Sequence, residues 1–196
     1  MAQTRALADR VVPGEGLAWD ALRILAANVL LILCARVAIP LPWTPVPITG
    51  QTFGVMLIAV LLGPTRAALA LCIYLIEGAA GLPVFQPFGA PGAARFVGPT
   101  AGYLLSYPLA AYVTGWLAAR FQDESGKVST ERLLAALAAG QALILLAGTA
   151  WLAVFFQRDW GGAFTWGTAP FLAGEVVKIA AVVGVARTLD FVTRSR

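Results

Sequence analysis

The strongest chemical signal in the chain is an acidic and a basic residue placed three positions apart in an apolar segment. Glu175 and Lys178 lie in the run AGEVVKIAAVVG, and residues i and i+3 of an α-helix share one face. A carboxylate accepts hydrogen bonds and an ammonium group donates them. The pair could hold a ligand that presents N–H donors beside a C=O acceptor, such as a cyclic urea. The lysine alone could instead hold a carboxylate.

Two other interpretations of this pair remain open. Glu175 and Lys178 could simply neutralise each other, although a buried ion pair adds little net stability once desolvation is counted. They could also serve an intramembrane enzyme, with Glu175 as the acid or base. The chain has no His, no GxSxG or HExxH motif and no P-loop. We therefore favour ligand binding, and we predict no catalysis, no metal site, no cofactor and no ATP hydrolysis by this chain itself.

Further polar candidates lie in the segment WTPVPITGQT at residues 43–52. Thr49, Gln51 and Thr52 could contact a ligand, and backbone N–H groups at the start of the following helix could receive a carboxylate. The alternative is ordinary turn chemistry, with Thr49 as the N-cap of that helix.

Three more candidates are an amide and two phenols. Gln86 lies in the apolar loop segment VFQPF, Tyr74 in the third apolar run, and Tyr103 at the start of the fourth run. An exposed loop position is the alternative for Gln86, and interfacial anchoring is the alternative for Tyr103. We include all three among the predicted site residues.

The composition indicates that this chain is a membrane protein, so membrane helices must position these residues. Of 196 residues, 59% are hydrophobic and 12% are charged, whereas soluble domains are about 25% charged. A spanning helix needs about 20 mostly apolar residues. We predict a single all-α membrane domain over residues 1–196, with residues 1–18 as a cytoplasmic tail and six transmembrane helices at about 20–39, 51–62, 66–81, 100–119, 133–156 and 169–189.

Two loops between these runs are stiff and long. Residues 40–50 carry four prolines, which cannot continue a helix, and residues 82–99 are rich in Gly and Pro. An even number of helices places both loops on one side of the membrane.

The distribution of basic residues predicts that both termini are cytoplasmic. If the N-terminus is inside, ten Lys and Arg residues fall on the inner side and three on the outer side, while Lys178 lies within a span. The outer three are Arg36, Arg95 and Arg158, and the inner ten are Arg5, Arg10, Arg23, Arg66, Arg120, Lys127, Arg132, Arg187, Arg194 and Arg196.

Four short motifs in order resemble the BioY family, the biotin-specific substrate-binding components of energy-coupling factor transporters. The resemblance covers about residues 20–190. Its motifs are PVPITGQT at 45–52, LLGP at 61–64, GLPVF at 81–85 and GPTAGY at 98–103.

The resemblance implies a six-helix fold in the bacterial cytoplasmic membrane, with a biotin site near the outer face under the first and third outer-side segments. It implies that Glu175 and Lys178 contact the biotin head group, where the family more often carries Asp at the acidic position. The resemblance also implies that polar groups of the first loop lie near the valerate tail of biotin, and the matching positions here are Thr49, Gln51 and Thr52. Gln86 is a weaker match for a polar contact from the third loop.

The resemblance also implies partners: a coupling transmembrane protein and ATPase subunits from other chains. No nucleic-acid partner is expected. Run one lacks the AxxxA spacing typical of docking helices in such components. The alternatives are a component for another vitamin and a self-contained facilitator, which would need polar stripes on several helices.

We predict that single cysteines distinguish the two sides of the membrane. In a variant without Cys34 and Cys72, Gly92→Cys in the second stiff loop should react with an impermeant thiol reagent added outside intact cells. Gly126→Cys should react only after permeabilisation. Outside labelling of Gly126→Cys would overturn the orientation.

Overall fold

The computed structural model is mostly helical and describes residues 6–11, 13–123 and 126–195. Its eight helices are α1 Leu7–Val11, α2 Leu17–Arg36, α3 Gln51–Leu62, α4 Pro64–Ala79, α5 Ala101–Arg120, α6 Thr130–Phe155, α7 Trp160–Gly167 and α8 Leu172–Arg194. A two-stranded antiparallel pair, β1 Ala38–Ile39 with β2 Ile48–Thr49, closes the first stiff loop, and a 3-10 helix, Gly92–Val97, lies in the second.

Helices α2 to α6 and α8 alternate in direction. We call the end of the bundle that carries residues 40–50 and 82–99 the loop end, and the other the opposite end. Helices α3, α5 and α8 begin at the loop end, so their N-terminal turns lie close together there.

The length and hydropathy of the described helices identify fewer spans than the six predicted. α2 and α6 are each long and apolar enough to cross a bilayer, and α7 with α8, bent by 50°, makes a third candidate. α3 is apolar but only 12 residues long. It ends at Gly63, whose φ of +74° suits glycine, and α4 begins at once with Pro64 at its first turn. A one-residue connection therefore reverses the chain.

Both ends of the chain differ from the sequence expectation. Within the predicted 1–18 tail, α1 is helical and packs against α3 and α8, and α2 already begins at Leu17, while residues 1–5 and 12 lie outside the described part. The predicted span 169–189 is instead α8, which begins at Leu172 and runs to Arg194. The loop expected before it contains α7, because Asp159 accepts a hydrogen bond from Gly162 N (3.2 Å) as an N-cap.

The bundle reverses the usual burial of polar and apolar side chains on its outer helices. On α8, Val176 and Val177 are 66% and 68% exposed, while their neighbour Glu175 is 6% exposed. The outward face of α2 likewise presents Leu25, Val29 and Leu33. Such a surface is stable when the surrounding solvent is hydrocarbon and the polar groups face the bundle interior.

Close packing between α5 and α6 depends on glycines. Gly102 and Gly148 leave room for Trp151 and Tyr103, and a Cβ at either position would overlap the opposing side chain. Small residues allow helix backbones to approach closely where no hydrophobic effect draws helices together. This contact also fixes the ring of Tyr103.

An ionic cluster fastens α1 to the opposite end. Asp9 forms two hydrogen bonds with Arg66 (2.5 and 3.1 Å) and lies 3.2 Å from Arg23. Burial alone would raise the pKa of the Asp9 carboxyl, but the two arginines outweigh it and the pKa lies below its usual value. A lowered carboxyl pKa stabilises the fold above the unfolded-state pKa, so this contribution is lost as the pH falls through the folded-state value.

We predict that Gly148→Ala destabilises the protein, because the new methyl group has no space beside the Tyr103 ring. Overpacking typically costs about 1–3 kcal/mol. The matched control is Gly184→Ala on α8, where nothing lies within 4 Å of the new Cβ. That helical substitution should be neutral or stabilising by up to about 1 kcal/mol. Thermal unfolding in detergent would test this, and equal midpoints for the two variants would contradict it.

Candidate ligand-binding site

A cavity of about 550 Å³, including its mouth, lies at the loop end of the bundle. Its walls come from both stiff loops, from the N-terminal turns of α3, α5 and α8 and from the middle of α6. The lining residues are Val46, Pro47, Thr49, Gln51, Thr52, Phe85, Gln86, Arg95, Thr100, Tyr103, Leu104, Tyr107, Ile144, Leu145, Phe171, Glu175 and Lys178.

One side of the cavity carries a hydrogen-bonded cluster of three side chains. Lys178 Nζ lies 2.7 Å from Glu175 Oε1, and both residues stand on α8. The Thr52 hydroxyl of α3 donates to Glu175 Oε2 at 2.8 Å and accepts from Lys178 Nζ at 2.9 Å. Glu175 lies in the first turn of α8, where the helix dipole favours a negative charge. A donor and an acceptor thus stand side by side at the cavity surface.

The predicted contacts of the first loop are arranged around the start of α3. Thr49 accepts a hydrogen bond from Gln51 N (3.3 Å), but the N-cap position is Gly50 and not Thr49, which was the alternative interpretation of this threonine. Gln51 Nε2 donates to the Tyr74 hydroxyl at 2.8 Å, and that hydroxyl donates to Val84 O at 3.1 Å. Tyr74 therefore joins the two stiff loops from behind the cavity.

A buried arginine holds the second loop. Arg95 is 6% exposed and lines the cavity; its guanidinium donates to the carbonyl oxygens of Phe88 and Gln86. Its Nε has no hydrogen-bond partner among the described residues. Burial lowers the pKa of this guanidinium through desolvation, yet arginine stays protonated in proteins. Arg95 therefore gives the cavity wall a second cation beside Lys178.

The aromatic walls are fixed by contacts outside the cavity. The Tyr103 hydroxyl donates to Gly167 O of α7 at 2.6 Å, so the ring edge is held while its face lines the site. Tyr103 is buried, with 7% of its surface exposed, so it does not occupy the interfacial position that was the alternative interpretation of the sequence. Tyr107 and Phe171 are buried beside it and complete an apolar wall.

Seven of the eight residues predicted from the sequence line this one cavity, while Tyr74 does not. Tyr74 is fully buried behind two lining residues: it accepts a hydrogen bond from Gln51, and its ring packs edge-to-face against Phe85. The seven lining residues are Thr49, Gln51, Thr52, Gln86, Tyr103, Glu175 and Lys178.

The sequence analysis missed Arg95, Tyr107 and Thr100. Arg95 entered only as one of the outer basic charges, although a single arginine in an apolar Gly/Pro-rich loop was a usable signal. Tyr107 lies one helical turn after Tyr103 on the same face, so the i, i+4 spacing could also have indicated it.

The arrangement has the character of a site that binds without reacting. Apolar rings surround a small number of fixed donors and acceptors, as in most sites for small organic molecules. Among the described residues, no group of three His, Cys, Asp or Glu side chains is placed to hold a metal ion. Fold and site together define a helical membrane protein with a ligand cavity at one end, whose largely apolar walls carry a few fixed polar groups.

Comparison with known proteins identifies the family. The family model described as "BioY family" matches residues 6–194, and the chain belongs to this family. The "Biotin transporter BioY" of Rhizobium etli is 38% identical over 170 residues, which cover 84% of this chain and 90% of that protein. The "Probable biotin transporter BioY" of Pyrococcus horikoshii is 39% identical over 146 residues, covering 74% and 82%.

A solved structure has the same fold. The S-component for biotin from an ECF-type ABC transporter superposes with a TM-score of 0.80, and the match covers 90% of this chain and 95% of that one. At 22% identity this similarity concerns the fold. Together with the apolar helices and the family, it identifies a membrane protein.

We predict that Glu175 and Lys178 are energetically coupled in the ligand-free protein. Glu175→Gln or Lys178→Met alone leaves one charge without its counterpart, which should lower the free energy of unfolding by about 3–5 kcal/mol. The double variant removes both charges and should be nearer to the wild type in thermal stability than either single variant. Purely additive effects in such a double-mutant cycle would show that the two side chains do not act as a pair.

Proposed function

We propose that this protein captures biotin with high affinity and takes part in its uptake as the substrate-binding subunit of an ECF-type transporter. The observation that carries the proposal is the cluster of Thr52, Glu175 and Lys178 inside an otherwise largely apolar cavity. The family and the names of its relatives supply the substrate.

The cluster suits the ureido ring of biotin. That ring presents two N–H donors beside one carbonyl acceptor, which complement the Glu175 carboxylate and the Lys178 ammonium group. Binding would exchange the internal ion pair for contacts with the ligand, so each charge keeps a partner. The apolar rings of Tyr103, Tyr107 and Phe171 then pack against the sulfur-containing ring.

The valerate tail would extend toward the mouth of the cavity. Arg95 offers a cation there, and its Nε points to no partner among the described residues. The partial positive charge of the helix dipole at the N-terminus of α3 would also favour the carboxylate of the tail, and Thr49 and Gln51 lie close by. Gln86 would face the same end of the ligand, although its side-chain oxygen now accepts from Phe88 N (2.6 Å).

The proposal includes an orientation and an assembly. We propose six membrane crossings, α2 to α6 and α8, with both termini cytoplasmic and the loop end facing outward in a bacterial cytoplasmic membrane. The basic asymmetry of the sequence supports this. Coupling would come from a transmembrane partner and ATPase subunits, since the chain has no P-loop. No cofactor or metal enters the proposal.

Enzymatic use of Glu175 has less support, because the relatives are named as transporters. The fold alone would also be compatible with binding of another vitamin. Biotin is favoured because a cyclic urea matches both members of the Glu175–Lys178 pair, whereas a ligand with only a carboxylate would use the lysine alone.

We predict that biotin copurifies with the protein and is released on denaturation, as measured by mass spectrometry. After removal of bound ligand, calorimetry should show biotin binding by the wild type. The double variant Glu175→Gln/Lys178→Met should insert and fold yet bind far more weakly. Loss of a buried charge-assisted contact costs about 2–5 kcal/mol, about 30-fold to several thousand-fold in affinity.

The matched control is Tyr74→Phe, which removes a buried hydroxyl behind the site without removing a lining group. It should weaken binding much less than the double variant. Near-normal affinity of the double variant would assign the pair a structural role. No binding by the wild type would defeat the substrate assignment and leave the fold and family unaffected.

A further inference from the structure

A second cavity of about 490 Å³, here called the inner cavity, lies at the opposite end of the bundle. Its walls come from α1, from the C-terminal parts of α3, α5 and α8, from the first turn of α6 and from residues 122 and 126–128 of the α5–α6 connection. It shares no lining residue with the ligand cavity.

The inner cavity lies at the level of the lipid headgroups. α6 has 26 residues and α8 has 23, so at about 1.5 Å per residue they extend about 39 and about 35 Å. The hydrocarbon core of a bilayer is only about 30 Å thick. Leu133 in the first turn of α6 and Asp190 near the end of α8 therefore lie where the headgroups begin.

The polar part of the inner cavity is basic. Among its described lining residues, the cations Arg10, Lys127 and Arg187 stand against the single carboxylate of Asp190. Arg10 Nη1 lies 3.2 Å from Asp190 Oδ1 and so has a counterion. Asp123 lies nearby and accepts a hydrogen bond from Lys127 N at 2.9 Å. Neither Lys127 nor Arg187 forms an ion pair with a described residue, so the cavity favours an anion.

Two polar atoms at the wall of this cavity have no partner. Arg187 Nη2 donates to the Thr130 hydroxyl at 3.1 Å, but Arg187 Nε is buried without a hydrogen-bond partner among the described residues, and so is Gln122 Oε1. A buried polar atom without a partner loses its hydration, so such atoms are rare and need an explanation. Both side chains are long, and rotation about their bonds can present these atoms to a ligand.

The unpaired atoms differ in the chemistry that they require. Phosphate oxygens accept hydrogen bonds from the guanidinium of arginine, often two at once. Gln122 Oε1 needs a donor instead, and a hydroxyl group supplies one. A ligand that carries a phosphate beside a hydroxyl would satisfy both Arg187 and Gln122.

The remaining walls of the inner cavity are apolar. They include Val60 of α3, Ala118 of α5, Leu133 of α6 and Ala186 of α8. A free phosphate ion makes no favourable contact with such side chains, whereas the glycerol ester and the first methylene groups of a lipid do. Basic pockets between membrane helices at the level of the headgroups are typical sites for anionic lipids.

We propose that the inner cavity binds the phosphate headgroup of an anionic membrane lipid whose headgroup also carries hydroxyl groups, as phosphatidylglycerol does. Lys127 and Arg187 bind the phosphate, and Gln122 accepts from a headgroup hydroxyl. A lipid bound there connects α1, the α5–α6 connection and α8, so it stabilises the folded bundle by mass action. This site is independent of the proposed substrate.

The test measures lipid retention by the purified, delipidated full chain in detergent. In native mass spectrometry with equal amounts of phosphatidylglycerol and phosphatidylcholine, the wild type should retain at least about tenfold more phosphatidylglycerol, which corresponds to about 1.4 kcal/mol. Phosphatidylglycerol should also raise its thermal midpoint. The double variant Lys127→Gln/Arg187→Gln should lose most of this preference, because it removes both cations that form no ion pair and keeps the pair of Arg10 with Asp190.

Two further variants separate the cavity from general surface charge and from loss of folding. Arg132→Gln is the matched control for Arg187→Gln, because Arg132 is exposed at the same end and lines neither cavity. It should retain the lipid preference, whereas Arg187→Gln should weaken it. Gln122→Met removes the unpaired acceptor without a change of charge. Its midpoint without lipid should not fall, yet it should retain less phosphatidylglycerol than the wild type.

Four outcomes would overturn the inference. Equal retention of the two lipids by the wild type would exclude a selective site. An unchanged preference in the double variant, or in Gln122→Met if the double variant does not fold, would place the lipid elsewhere. An equal loss in Arg132→Gln would assign the preference to general surface charge. Inorganic phosphate or glycerol 3-phosphate that raised the thermal midpoint as much as the lipid would exclude a lipid as the occupant. Biotin binding in calorimetry should be unchanged in every variant, so none of these outcomes bears on the proposed function.

Discussion

The hydrogen bonds that Thr52 donates to Glu175 and accepts from Lys178 join α3 to α8 in the interior of a bundle whose outside is apolar. Two charges can be buried at this depth only because each has a partner and because the threonine hydroxyl satisfies a further lone pair and a further proton. The cavity forms around this cluster, and the N-termini of α3, α5 and α8 meet beside it. The positive ends of these helices favour both the Glu175 carboxylate and an anionic ligand group.

The surrounding lipid explains the rest of the architecture. Apolar side chains such as Val176 and Val177 face outward, so the polar residues must face inward and toward one another. Irregular backbone is tolerated at membrane depth only where protein or a cavity covers it. The second proline-rich segment, residues 82–99, meets this condition because Tyr74 and Arg95 donate hydrogen bonds to its carbonyl groups beside the cavity.

A tight site needs fixed partners for its buried groups, and the cluster of Thr52, Glu175 and Lys178 has them. The close glycine contacts between α5 and α6 fix the ring of Tyr103, which forms part of the cavity wall.

The sequence by itself determined the membrane class, the Glu175–Lys178 pair and the polar segment that ends in Thr52, because hydropathy and i, i+3 spacing are local properties. Only the tertiary structure decided that Arg95 reaches the cavity and that Tyr74 stands behind it, since both depend on how loops pack across sequence distance. α7 and the docking of α1 were likewise invisible, because an N-cap at Asp159 and ion pairs at Asp9 depend on backbone geometry and distant partners.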